Sequence, residues 1–196
     1  MSENPARFTR AIAAIDDANA GDPNRIEVRG EDLPKELAHA DLATLWAKQL
    51  VDTPSEALLL AVRAHHLRRW SLPRSDYPTG RSGYLTWRQA LKQRHADEAA
   101  AILTDCNYEE ETIDEVSRII LRKNLIGDAQ VLEDAVCLVF FETQLVELAN
   151  RLNGEKMKSV GLKTLRKMTP AARQMVLELP LAPAYIELLR ELNQSL

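Results

Sequence analysis

The stretch VLEDAVCLVFFETQLVELA, residues 131–149, constrains the fold more than any other part of the chain. It lies in a segment with helical patterning from about 128 to 152, and near its centre apolar side chains cover most of the circumference. Such a helix has to be enclosed by other elements rather than laid on a surface. The remaining 3.6-residue periodicities supply the enclosing helices. Residues 5–20 carry Phe8, Ala11, Ile12 and Ile15 on one stripe, closed by Gly21. A second helix opens at Pro34 and spans 34–51. A third, with Thr53 as N-cap, Pro54 at its first position and Glu56 completing a capping box, is expected to reach about Arg69. Helices over about 83–105 and 109–125 follow, then shorter ones over 154–168, 170–179 and 183–192. The expected fold is all-α: one domain over 1–196, of about eight or nine helices, with 154–196 as a C-terminal helical extension packed on it.

Two connections stand apart. GDPNRIEVRGEDLP is irregular, with a short extended piece at Ile26–Val28. WSLPRSDYPTGRSG, residues 70–83, reads as a long ordered loop, a kind of segment that is often functional.

Charge is distributed unevenly. The chain carries −4 overall, yet the segment from Arg63 to Arg94 holds seven arginines and Lys92 against Asp76 alone, or +7, so the rest carries −11. An acidic protein is poorly suited to non-specific DNA binding. A local basic island fits a small anionic ligand, or forms a solvated surface. No apolar run approaches the roughly 20 residues of a membrane span, and MSENPARF has no signal-peptide core, so a cytoplasmic protein without membrane partners is expected. Cys106 and Cys137 are far apart and suggest neither a disulfide framework nor a zinc knuckle.

Polar residues on apolar stripes need partners. His39 aligns with Leu42 and Trp46, and His95 with Leu91, Ala99 and Ile102. In VRAHHLRRW, residues 62–70, His65 and His66 lie about 100° apart on a helix, so at least one faces inward. Asp134 interrupts the stripe of Val131, Leu138, Phe141 and Leu145. Imidazole nitrogens and a carboxylate together suit zinc, iron or manganese. Each histidine has an alternative as a hydrogen-bonded core residue, and periodicity cannot show that the five side chains meet.

The order of an inward histidine in KELAHADLATLW, the pair in VRAHHLRRW, His95 in KQRHADEAAAIL and the aspartate in LEDAVCLVF resembles the HD-domain superfamily. These are all-helical metal-dependent phosphohydrolases, with some di-iron oxygenases. The resemblance implies an HD-like helical bundle and a divalent metal (Mn, Fe, Zn or Co) on His39, His65, His66 and Asp134. The family's His–Asp doublet is not reproduced: either His66 stands in for the aspartate beside His65, or His66 is the histidine and the aspartate is missing. His66 is the favoured ligand. Over nearly the whole chain, including HHLRRWSLPRSDYPTGRSGYLTWR and LRKMTPAARQMVLELPL, the sequence is also similar to a family defined only as a domain of unknown function.

Two functions of different classes are expected from these residues. The first is hydrolysis of a phosphorylated small molecule or nucleotide, the metal lowering the pKa of a bound water. His95 serves as further ligand or general base, and Glu133 as base or as partner of a histidine. Arg69, Arg74, Arg81 and Arg88, with Tyr84, would hold the anion. No nucleotide cofactor is expected. The second is a metal-free binding module in which the basic loop 68–94 takes an anionic ligand, RNA or an acidic protein. Its aromatics would stack on the ligand, or simply pin the loop to the helices. An iron-dependent oxygenase of the HD type is a third, weaker option.

Overall fold

A computed structural model describes residues 5–196; residues 1–4, within the expected domain and the MSENPARF stretch, lie outside the described residues. The fold is all-α. The described residues form nine α-helices: α1 (Pro5–Ala20), α2 (Lys35–Leu50), α3 (Glu56–Ala64), α4 (Gly80–Asp105), α5 (Glu110–Leu121), α6 (Asp128–Arg151), α7 (Gly154–Leu165), α8 (Pro170–Val176) and α9 (Pro183–Gln194). None is long and apolar enough to cross a membrane.

Helix α6 is the spine because its circumference is apolar on both flanks. Leu132, Ala135 and Val139 belong to a core built with α1 to α5, while Leu138, Phe141 and Leu145 belong to a second core with α7 to α9. Trp46 and Leu50 of α2 pack against both. Leu138, Phe141 and Leu145 are fully buried, so truncating any of them to alanine is expected to cost roughly 3–5 kcal/mol.

The extended piece at Ile26–Val28 is one arm of an antiparallel hairpin, β1 (Arg25–Val28) with β2 (Glu31–Pro34), in the register Ile26 to Leu33. Arg29 and Gly30 both adopt positive φ at its turn. The hairpin leads straight into α2, whose first turn is capped from a distance. Pro34 offers no side-chain acceptor, and Asp22 Oδ2 accepts the Glu36 N–H at 3.0 Å. That bond positions the start of the helix carrying Glu36 and His39.

Several expected boundaries differ, among them the end of α5, which stops at Leu121 rather than about 125 because Arg122 turns left-handed. The N-cap of α3 is Ser55, whose Oγ accepts the Leu58 N–H at 2.9 Å, so Thr53 and Pro54 precede the helix and Glu56 is its first residue rather than a capping-box partner. Helix α3 also stops at Ala64 instead of Arg69. Leu67 and Arg69 donate backbone N–H groups to Ala64 and His66, and Arg68 enters the left-handed region at φ 44°. Buried Asn19 receives the Arg68 N–H on its side-chain oxygen at 3.0 Å and holds that reversal.

Finally, segment 70–83 is not one open loop. It holds two short 3-10 turns, Arg69–Ser71 and Arg74–Asp76, and α4 begins at Gly80. Arg74 staples it by donating to the Tyr77 and Pro78 carbonyls, and Trp87 Nε1 donates to Leu72 O at 2.9 Å. At Gly83 a Cβ would stand 1.9 Å from the Pro78 carbonyl oxygen, so glycine is required for the close approach.

Candidate functional site

Four elements converge on one cavity of ≈ 320 Å³. Helix α2 contributes His39, the turn after α3 contributes His65 and His66, α4 contributes His95, and α6 forms the opposite wall with Glu133, Cys137 and Phe140. The ring of His66 is central, with centroids 4.1 Å from His65, 5.8 Å from His95 and 6.4 Å from His39. His39, His65 and His95 are buried, whereas the His66 side chain is 23% exposed. Both members of the pair line the cavity.

In all four rings Nδ1 is engaged by an acceptor. His65 Nδ1 lies 2.7 Å from Val62 O, and His95 Nδ1 lies 2.9 Å from Leu67 O. A carbonyl oxygen only accepts, so these two rings carry the proton on Nδ1. Glu36 Oε2 takes the other two, at 2.9 Å from His66 Nδ1 and 3.3 Å from His39 Nδ1, while Arg69 stands 3.5 Å from Oε1. In His65 and His95 Nε2 is therefore left as a lone pair. His39 Nε2 has Thr143 Oγ1 at 3.5 Å, beyond ordinary hydrogen-bond length, and His95 Nε2 is buried with no partner.

The electrostatics keep this arrangement. Burial disfavours the Glu36 carboxylate, but His66 and His39 outweigh it and hold the group well below the usual carboxylate range. Burial pushes His66 down to about 4 against the attraction of Glu36. It likewise pushes His95 down to about 3, assisted by His66, and lowers His65 well below the ordinary value. These three imidazoles are neutral at pH 7, the form that ligates metals.

Glu36, His39 and His66 each place a potential ligand atom within 4.8 Å of the others. Nδ1 donors on a carboxylate and on carbonyls, with Nε2 free, form the outer-shell pattern typical of metal-bound histidine. An imidazole-rich set suits zinc, iron or cobalt better than manganese, which prefers oxygen. The residues present thus fit a divalent metal.

The structure does not bring Asp134 to the histidines. Its Oδ1 accepts from Gln130 Nε2 at 2.9 Å and Thr169 N at 3.0 Å, and its Oδ2 accepts from Thr169 Oγ1 at 2.6 Å. Asp134 therefore anchors the start of α8 to α6. Glu133 does line the cavity, but it is buried with Arg122 at 3.0 Å and Lys167 at 3.5 Å. Burial opposes its ionisation, Arg122 and Lys167 override that, and the carboxylate stays below its usual range, a poor base. His95, at about 3, is also a poor base and better placed as a ligand.

Among the expected anion holders, Arg69, Arg88 and Tyr84 line the cavity. Arg69 lies over the Trp87 ring at 5.3 Å and Arg88 over the Tyr84 ring at 5.9 Å. Arg74 is spent on loop carbonyls, and Arg81 is exposed and outside the cavity lining. Of the two roles weighed for the aromatics, Trp87 pins the loop, and its ring also lines the cavity.

Sequence inspection missed Glu36, Arg122 and Lys167. Glu36 was within reach, since it sits one turn before His39 on the same inward face. Arg122 and Lys167 had no such signal, because each joins the cavity from the end of a helix.

No curated protein and no solved structure gives a match to the chain. Residues 9–189 match the family described as Domain of unknown function (DUF4202), a span that includes every residue of the cavity. The chain belongs to that family.

Proposed function

We propose that the protein is a metal-dependent hydrolase of a small phosphorylated molecule, with the HD-type metal chemistry that its sequence resembles. The observation that carries this reading is the set of four histidines, each tied through Nδ1, around a cavity whose walls also hold Arg69, Arg88, Lys92, Arg122 and Lys167. His39, His66 and their neighbours would hold a divalent metal, which would supply a bound water whose pKa is brought towards about 7.

The chain's own residues do the rest. Glu36 fixes the ring planes of His39 and His66, and the Val62 and Leu67 carbonyls fix those of His65 and His95. Arg69 and Arg88 present guanidinium groups that grip a phosphate through paired hydrogen bonds. Apolar Leu91, Val136 and Phe140 keep part of the wall dry, which strengthens those contacts. A cavity of ≈ 320 Å³ is at the small end of ligand sites, so the substrate is small. Cys106 and Cys137 are separate buried thiols, in keeping with a cytoplasmic protein.

A metal-free anion-binding module is the second reading, favoured by Asp134 being consumed at Thr169 and so not available as a ligand. The test is metal analysis of the purified protein, followed by phosphate release from a panel of phosphomonoesters and nucleotides. The hydrolase reading expects one metal per chain and release that chelator abolishes. Absence of metal, with no turnover after adding Zn, Fe, Co or Mn, overturns it. Chelator-insensitive stabilisation by an anion would then support the binding module.

A further inference from the structure

The histidine cavity shares a wall with a second one of ≈ 500 Å³, and Arg88, Lys92, Arg122, Glu133 and Lys167 line both. Four cations and one carboxylate leave this junction at +3. Glu133 is already committed, with Arg122 on one oxygen and Lys167 near the other. Lys92 Nζ donates to the Leu121 carbonyl at 3.2 Å, which satisfies a donor but neutralises no charge.

Arg122 is the telling member. Its side chain is only 5% exposed, and its Nε is buried without a partner. It is also held in the left-handed region, at φ 49°, as the residue that closes α5. A non-glycine residue there is strained and persists where its surroundings enforce it, commonly at ligand clamps. Burying cations with a single counter-charge is unfavourable in the free protein, and a bound anion would remove that penalty. A phosphomonoester carries about −1.5 to −2, too little to match the junction together with Arg69 and a divalent metal.

We propose that Lys92, Arg122 and Lys167 form a second phosphate subsite where the two cavities meet, so that the ligand carries two phosphate groups, one facing the histidines and one held at this junction. The two-phosphate ligand rests on the hydrolase reading of the histidine cavity; the junction as an anion site does not. Lys92, pushed down to about 8 by burial and by Arg122, would become fully protonated when the anion arrives.

The test has two arms, both by titration calorimetry. In the first, chelator-treated protein is titrated with orthophosphate. Binding should weaken roughly tenfold in Lys92→Gln and in Lys167→Gln, the loss expected for one charge-assisted hydrogen bond, and stay within threefold in His66→Ala. Lys167, which is partly exposed, can be replaced without opening the core, whereas Arg122 cannot. In the second, metal-loaded protein is titrated with butyl phosphate and with butane-1,4-diol bisphosphate. The bisphosphate should bind at least about tenfold more tightly, and the advantage should disappear in Lys167→Gln. Orthophosphate that fails to bind, or binds equally to folded Lys92→Gln and Lys167→Gln, overturns the subsite. Equal affinity for the two esters overturns the two-phosphate ligand. Failure of the hydrolase reading would instead appear as protein that takes up no metal while the first arm still succeeds.

Discussion

Two of the buried carboxylates, Asp134 and Glu36, anchor polar clusters that behave in opposite ways. Asp134 accepts three hydrogen bonds, one from Gln130 on its own helix and two from Thr169, which tie α6 to the start of α8. Glu36 accepts from His39 and His66, and each of those rings then offers its second nitrogen to a cavity. One network is closed and the other has open valences. A closed network contributes rigidity, while an open one is poised for a ligand, since lone pairs buried without partners are costly. Both aspects follow from hydrogen-bond inventory rather than from residue type.

Between the two networks, the larger effect on stability should come from opening the closed one. Asp134→Ala strands the Thr169 N–H and hydroxyl, and should lower unfolding free energy by about 2–4 kcal/mol in urea denaturation, with metal affinity unchanged in the folded protein. A loss of metal without loss of stability would reverse the roles assigned to the two carboxylates. The complementary variant, Glu36→Gln, keeps the shape but weakens the grip on both Nδ1 atoms. Metal affinity should fall by about 10–100-fold, as measured by competition with a chelating dye.

The clusters should also differ in pH response. Burial lowers the folded-state pKa of His65, His66 and His95 below the unfolded value of about 6.5. Between those limits the unfolded chain binds more protons, so stability falls as pH drops from about 6.5 towards about 4. Glu36, also depressed, adds a further loss below the ordinary carboxylate range. Denaturation of metal-stripped protein across pH 4–8 should show this slope, and His95→Gln should flatten it. Asp134 is shifted the other way: burial, only partly offset by Thr169, raises its pKa. Replacing it should therefore leave the slope near pH 6 in place.

The smallest change, Thr169→Ser, retains both the N-cap oxygen and the hydroxyl donor to Asp134. Unfolding free energy should shift by less than about 1 kcal/mol, confirming that the hydroxyl and not the methyl group is what matters there.

How much of this is legible in the sequence depends on the range of each signal. Prolines mark the starts of α8 and α9, and the apolar girth of residues 131–149 identifies the spine, because both are local. The early end of α3 is not legible: Arg68 turns left-handed without being glycine or asparagine, held by Asn19 from 49 residues away. Periodicity correctly turns His39, His95 and Asp134 inward, since direction is a property of one helix. It cannot tell that Asp134 meets Thr169, 35 residues further on, while His39 meets His66, because partners are a property of packing between helices. Glu36 was the readable exception, one turn from His39.

The most direct test of the contrast is metal content, by mass spectrometry, of wild type, His66→Ala and Asp134→Asn prepared identically. Asparagine keeps an acceptor for the Thr169 N–H, so the fold should survive. Wild type and Asp134→Asn should carry the same metal at one equivalent per chain, and His66→Ala should carry little. Metal retained by His66→Ala but lost from folded Asp134→Asn would contradict the assignment of the site to the Glu36–histidine cluster.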